Sequence, residues 1–449
     1  MADKKGLSRD EAKTICDKIL KLSKADHCRV NVSAGWRGYT RVATNRITSS
    51  GGSHGTSLNI TSIFGKRVAS VNTNQLGDDE LVGAVRRSEA MAKLAPENPE
   101  YMTELGPQEF ANTDAYYKST GNLDPESRAN SAAIAIRKAK AAGQIAASYM
   151  DVRAGTSSIA TSGGLFGHHA NTGVAYTFTS RTPDGLQSGW AGDEANNWKR
   201  IESERVADDA VRKCAEWKKT DLEPGKYTAI LEPTAVGMLM TRMAGAFGQR
   251  RADEGRSYFS KPGGGNRIGE KLFDDKVSIW SDPKHTDGET SPFTFSGEPN
   301  VKQSWVTNGT LNELSRSRYW ADKNAQTPLP GPANFIMKGG DDSLEEMIAS
   351  TERGVLLTRF WYIRGINPRT IAYTGLTRDG TFLIENGKIS RPVTNFRFNQ
   401  SIVEMLQNIE MMGKSVRVAA SENSSVSTPI VVPALKVRDF NLSSVSDAI

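Results

Sequence analysis

Apolar residues recur every three or four positions through one mid-chain stretch, 231–248, where Val236, Leu239, Met240, Met243, Ala244 and Phe247 form a continuous stripe. That period buries one face of an α-helix. Glu232-Pro233-Thr234 leads into the stretch, and proline suits a first helical turn, where its missing N–H would have no partner anyway. Gly237, Ala244, Gly245 and Ala246 let another backbone come close, while Thr241 and Arg242 interrupt the stripe with polar groups.

The same period predicts a helix over 8–24, capped by Ser8, with Ala12, Ile15, Cys16, Ile19, Leu20 and Leu22 inward. It predicts others over 78–94 and 125–142, and residues 193–219 read as mostly helical. Alternation of apolar and polar residues predicts strands over 27–33, 41–49, 56–64, 66–73, 145–153, 156–161 and 174–180, with 50–55 as a loop. Beyond a surface crossing at 222–226, strands are expected over 227–231, 274–280, 301–305, 310–316, 333–338, 355–362, 380–385, 388–392, 415–419 and 430–437. Asn386-Gly387 is a hairpin turn, Ser343 with Glu346 a capping box opening a helix over 344–352, and 401–411 a further helix.

This pattern implies an α+β protein: an N-terminal α/β sandwich-like region on an antiparallel sheet and a C-terminal β-rich, barrel-like domain. The expected divisions are an N-terminal α+β domain over 1–100, a middle α+β domain over 101–221 that can share a sheet with the first, and a β-rich domain over 222–449. The Pro- and Glu-rich link 95–100 crosses the surface between the first two.

Length agrees with that division, because 449 residues exceed one ordinary core. A net charge of +6 is mild for this size, and the Lys and Arg residues are scattered along the chain, so nucleic acid is not an expected partner. Three cysteines without a CxxC pair fit a reducing compartment. The first residues lack a signal peptide's apolar core and no apolar run is long enough to span a bilayer, so a cytoplasmic location without membrane contact is expected.

Residue chemistry alone points to no catalytic signature. His168-His169 follows a Gly-rich run and reads as a surface loop, and adjacent side chains in an extended segment point to opposite sides. The run Pro262–Arg267 lacks P-loop spacing, Met412-Gly413-Lys414-Ser415 has Asn408 where the loop's first glycine belongs, and no Gly-x-Ser-x-Gly elbow occurs. Asp274-Asp275 and Asp341-Asp342 read as turn and cap residues.

The order of short motifs is more telling. The LEPTAVGMLM helix, DEGRSYFS, Gly269-Glu270-Lys271-Leu272-Phe273, Ser281-Asp282-Pro283, Gly297-Glu298-Pro299 and Thr307-Asn308-Gly309-Thr310-Leu311 follow one another. Glu352–Thr358 (ERGVLLT), Gly365-Ile366-Asn367-Pro368, Phe382–Ile389 (FLIENGKI) and Arg391-Pro392-Val393 complete the series. Together they resemble the TldD/PmbA family, the modulator of DNA gyrase proteins, over nearly the whole chain.

The resemblance implies a zinc peptidase fold in which the TldD branch carries His-Glu-x-x-x-His on this helix and a Cys near the C-terminus. Here the six positions read Thr241-Arg242-Met243-Ala244-Gly245-Ala246, and the C-terminal stretch 421–429 (SENSSVSTP) has no Cys. Thr241 and Ala246 stand at the imidazole positions and Arg242 at the glutamate, so no metal ligand and no catalytic residue is expected in this chain. The pattern is similar to the PmbA/TldE branch. That implies a non-catalytic subunit, paired with a TldD-like partner that holds zinc, lining a chamber for extended or unfolded peptides. Thr241, Arg242, Gly245 and Ala246 would line the cavity, with Arg242 either holding a carboxylate of a peptide or of a neighbouring helix, or closed in an internal ion pair. The alternatives are a stand-alone metallopeptidase using ligands such as His168, His169 and His285, and a gyrase- or nucleic-acid-associated binding protein.

Overall fold

The computed structural model describes residues 6–214 and 220–446. Its N-terminal half is built on one antiparallel sheet of β1 (His27–Ala43), β2 (Arg46–Phe64), β3 (Arg67–Thr73), β4 (Ile145–Thr161), β5 (Phe166–Arg181) and β6 (Ser188–Ala195). Their spatial order is β3-β2-β1-β4-β5-β6, so β1 and β4, distant in sequence, pair at the centre from Arg29 opposite Thr161 to Val42 opposite Ser148. The helices are α1 (Arg9–Leu22), α2 (Asp78–Leu94), the single turn α3 (Lys118–Gly121), α4 (Pro125–Ala141) and α5 (Ser203–Lys213). Ser8 and Glu11 form a capping box on α1, and Asp124 caps α4 ahead of Pro125.

Helices cover one face of this sheet. Val30, Val32 and Val42 of β1 and Met150, Val152 and Ala160 of β4 enter the cores that α1, α2, α4 and α5 close. Because neighbours along a strand alternate sides, Arg37, Tyr39 and Arg41 of β1 and Tyr149, Asp151 and Arg153 of β4 share the opposite face. That face meets the C-terminal half: the Val426 amide donates to the Asp151 carboxylate at 3.1 Å.

Several expectations about this half are corrected. Residues 50–55 continue β2 instead of looping out, with Gly55 opposite Gly35 and Gly52 opposite Gly38. The reversal falls at Thr44 and Asn45, both at positive φ (49° and 59°), inside the strand expected over 41–49. Glycine and serine show no hydrophobic alternation, yet pairing satisfies their backbone as well as any other residue's. For the same reason 145–161 is one strand. His168 and His169 lie in β5, not in a surface loop, and His169 is only 6% exposed. Strand β6 takes the start of the helix expected over 193–219, α5 begins at Ser203, and residues 215–219 lie outside the described residues.

The C-terminal half contains β7 (Gly225–Leu231), β8 (Ile279–Ser281), β9 (Gln303–Thr307), β10 (Thr310–Leu311), β11 (Phe335–Met337), β12 (Arg353–Asn367) and β13 (Ala372–Glu385). It continues with β14 (Lys388–Pro392), β15 (Phe396–Ser401), β16 (Ile409–Met412), β17 (Val416–Arg417), β18 (Ile430–Val432) and β19 (Leu435–Val445). Strands β12-β7-β19-β15-β13 pair in that order and β13 pairs back onto β12, which closes the expected barrel-like ring. A second sheet runs β10-β9-β8-β11-β18-β17. The stretches expected as strands over 274–280, 310–316 and 415–419 are mostly irregular, and the helix expected over 401–411 divides into a short helix, Ile402–Gln407, and β16. Asn386 and Gly387 take positive φ (52° and 73°), as a two-residue hairpin turn requires.

Helix α6 (Pro233–Ala244) lies between barrel and second sheet, packing against β7 and β12 on one side and β11 and β18 on the other. Met238, Leu239, Met240 and Met243, with Phe247 just beyond, are buried with Trp305, Phe335, Phe360, Phe398 and Phe440 in one core. The approach is closest at Gly237, where a Cβ would stand 2.4 Å from a Val418 methyl. The helix ends at Ala244, short of the expected 248, with Gly245 as its cap. Among the described residues no helix is long and apolar enough to cross a membrane.

Gly237→Ala tests the seating of α6. Alanine favours a helix over glycine by about 1 kcal/mol, but overpacking costs about 1–3 kcal/mol. The expected result is a lower denaturant midpoint, recovered in part by adding Val418→Ala.

His169 provides a pH test. Burial, then the neighbouring His168, pushes its pKa down to about 4. Between about 6.5 and 4 the unfolded chain binds a proton that the folded chain refuses, so stability falls as pH drops through that window. The loss amounts to at most about 3 kcal/mol. Urea denaturation at pH 7 and pH 4.5 should show this loss in the wild type and a smaller one in His169→Asn.

Candidate functional site

The last turn of α6 opens on a cleft of about 460 Å³. Thr241, Arg242, Gly245 and Ala246 all line it, facing Arg251, Arg256 and the β12–β13 hairpin at Gly365–Pro368. The pattern of α6 explains the placement: its apolar positions are taken by the core, and the polar pair is left at the one end that emerges. Thr241 donates its hydroxyl to the Gly237 carbonyl at 2.8 Å, one turn back on its own helix. Arg242 pairs with Glu422, Nη2 to Oε1 at 3.2 Å, and the same oxygen accepts the Ile363 amide of β12 at 3.1 Å. Arg242 is thus closed in an internal ion pair, and the carboxylate that it holds lies on no helix.

These residues do not fit a zinc ion. Zn²⁺ takes deprotonated or lone-pair donors converging at about 2.0–2.3 Å. Thr241 offers only a neutral hydroxyl turned onto its own helix, Ala246 has no side-chain donor atom, and Glu422 is committed to Arg242 and Ile363. Arg242, Arg251 and Arg256 give the cleft a cationic wall that repels a dication. Among the described residues no three His, Cys, Asp or Glu side chains gather in a metal-binding group.

The dispersed histidines remain apart. His168 Nδ1 meets Ser158 Oγ at 2.8 Å, His169 Nδ1 meets Thr113 Oγ1 at 3.3 Å, and His285 Nδ1 accepts the Asp287 amide in a separate loop. Cys16, Cys28 and Cys214 are buried, and desolvation pushes their thiols up to about 12, 11 and 11. They are protonated core residues.

Sequence reasoning missed Glu422. It sits in the stretch 421–429, where the resemblance places a ligand in other members, and a carboxylate in a segment opposite an unexplained arginine was the available signal. Arg251 and Arg256 were also missed, because nothing local says that they face α6.

A double-mutant cycle on Arg242→Met and Glu422→Gln measures the pair. Both groups are partly solvated, so the coupling free energy from urea denaturation should be about 1 kcal/mol. Arg242→Met alone should be the more damaging change, since it leaves Glu422 with one amide partner.

Comparison with known proteins bears on this geometry. The model of the PmbA/TldA metallopeptidase C-terminal domain matches residues 224–444. A metalloprotease of Methanothermobacter thermautotrophicus is 25% identical over 301 residues, 60% of this chain and 62% of its own length. A metalloprotease TldD homolog of Buchnera aphidicola is 23% identical over 198 residues, 39% of this chain and 40% of the relative. These matches therefore span less than two thirds of the relatives' lengths. TldE from Thermococcus kodakarensis superimposes with a TM-score of 0.84 at 17% identity, covering 96% of this chain and 99% of the other. A protein described as a modulator of a DNA gyrase from Thermotoga maritima does so with a TM-score of 0.82 at 18% identity, over 96% and 99%. Those two share the fold. With the motif series and the barrel that carries α6, the match gives residues 224–444 the PmbA/TldA metallopeptidase C-terminal domain and supports the TldD/PmbA family for this chain.

Proposed function

We propose that this chain is the non-catalytic subunit of a TldD/PmbA-type peptidase. It shapes the chamber and holds an extended peptide while a TldD-like partner, carrying the zinc, cleaves it. The observation that carries this reading is the last turn of α6, where the polar positions on the cleft are a threonine bonded to its own helix and an arginine bonded to Glu422. A guanidinium at the general-base position cannot accept a proton from water at neutral pH. The fold likeness to a protein called TldE supports the same branch. Within the chamber this chain would contribute hydrogen-bonding and cationic side chains that orient the peptide. Bond cleavage would fall to the partner's metal, which supplies the activated water.

A stand-alone peptidase would need another ligand set, and His168, His169 and His285 bond to separate partners. The test is purification of the chain alone and together with a TldD-like paralogue carrying His-Glu-x-x-x-His. Expected are no stoichiometric zinc and no peptide cleavage for the chain alone, and co-purification with chelator-sensitive cleavage for the pair. Zinc and EDTA-sensitive cleavage in the chain alone would overturn the reading.

A further inference from the structure

Charges scattered along the sequence gather in space between the two halves of the molecule. Arg37, Arg41, Arg153 and Arg181 from the uncovered face of the N-terminal sheet meet Arg359 and Arg378 from β12 and β13 around a groove of about 600 Å³. The segment 422–425 forms part of its wall. The carboxylates within reach are already committed. Asp151 accepts from Arg37, from Arg153 at 3.0 Å and from the Val426 amide at 3.1 Å. Asp379 accepts Ser188 Oγ at 2.8 Å, and Glu422 holds Arg242 and the Ile363 amide. Among the described residues Arg41 and Arg181 have no ion pair.

Arg359 gives an independent sign of a missing anion. Its side chain is 8% exposed, the carboxylate paired with it, Asp379, is 3.8 Å away, and among the described residues its Nε has no hydrogen-bond partner. Burial works against its charge, pushing its pKa down. Its guanidinium rests over the rings of Trp190 and Trp361, 4.8 and 5.5 Å from their centroids, which offsets part of that cost but leaves the donor unmet.

We propose that this groove binds an acidic stretch of an extended polypeptide, its Asp or Glu carboxylates seated on Arg41, Arg181 and Arg359. Guanidinium forks match carboxylates with paired, charge-assisted hydrogen bonds. The chain's own Glu422 already places a polypeptide carboxylate in the groove wall. A single-stranded nucleic acid fits less well, because base binding needs open aromatic faces. Here Trp361 carries Arg359 and Arg378, and Tyr39 and Tyr149 stack on each other. The inference rests on the peptide-holding reading above for its biological sense, but it is read on this chain alone, so its failure and failure to co-purify with a partner are separate results.

The test uses the full chain and a fluorescein-labelled peptide of alternating Glu and Gly, followed by anisotropy. The Glu peptide should bind about 10-fold or more tighter than a matched Gln peptide, and lose that advantage as salt rises to roughly 0.5 M. Arg41→Gln with Arg181→Gln removes two cations that hold no ion pair in the fold, and should weaken the Glu peptide about 10-fold with an unchanged denaturation midpoint. Equal binding of the Glu and Gln peptides would overturn the proposal. So would unchanged affinity in the double variant, or oligothymidylate displacing the labelled peptide more effectively than unlabelled Glu peptide does.

Discussion

The fold depends on how closely α6 is held between two sheets. At Gly237 the helix touches Val418 so tightly that no side chain fits between them. Met238, Leu239, Met240 and Met243 then fill the space between the barrel and the second sheet. Dense packing of this kind fixes rotation as well as position, because turning the helix would drive its polar end into the core. The facing of Thr241, Arg242, Gly245 and Ala246 onto one cleft follows from that rotation. Val418 precedes Glu422 by one short stretch, so the contact that seats the helix also brings the carboxylate to Arg242.

Electrostatics in the molecule follow from the same arrangement. The N-terminal sheet buries one face under helices and presents the other, rich in arginine, to the C-terminal half. Like charges brought together in this way repel unless anions lie between them. Asp151, Asp379 and Glu422 do part of that work, each shared between several donors. This chain is therefore cationic both at the α6 cleft and in the arginine-lined groove.

Much of the fold was legible because it follows the periods that local patterns report. Helix α2 has the expected bounds, α1 starts at its capping box, and the Asn386-Gly387 turn adopts the backbone its residues favour. Legibility failed where pairing partners, not composition, determine structure. The run at 50–55 looks like a loop but is held by β1, and His168-His169 is held by β4. The short strands of the second sheet were placed loosely, since two or three residues cannot show a period. At the site, the flanking motif draws attention to the end of α6, but the partner of Arg242 lies 180 residues away. The gathering of arginines was hidden for the same reason: β1, β4, β5, β12 and β13 are brought together only by tertiary structure.

The seating contact at Gly237 comes a full turn before the first residue of the cleft. Thr241 and Gly245 are exposed, and neither supports the core. The scaffold is consequently modular at this point: what the helix presents at its end can be exchanged without rebuilding what holds the helix in place. One architecture can therefore carry different chemistry at that end, and here the end forms part of a positively charged wall.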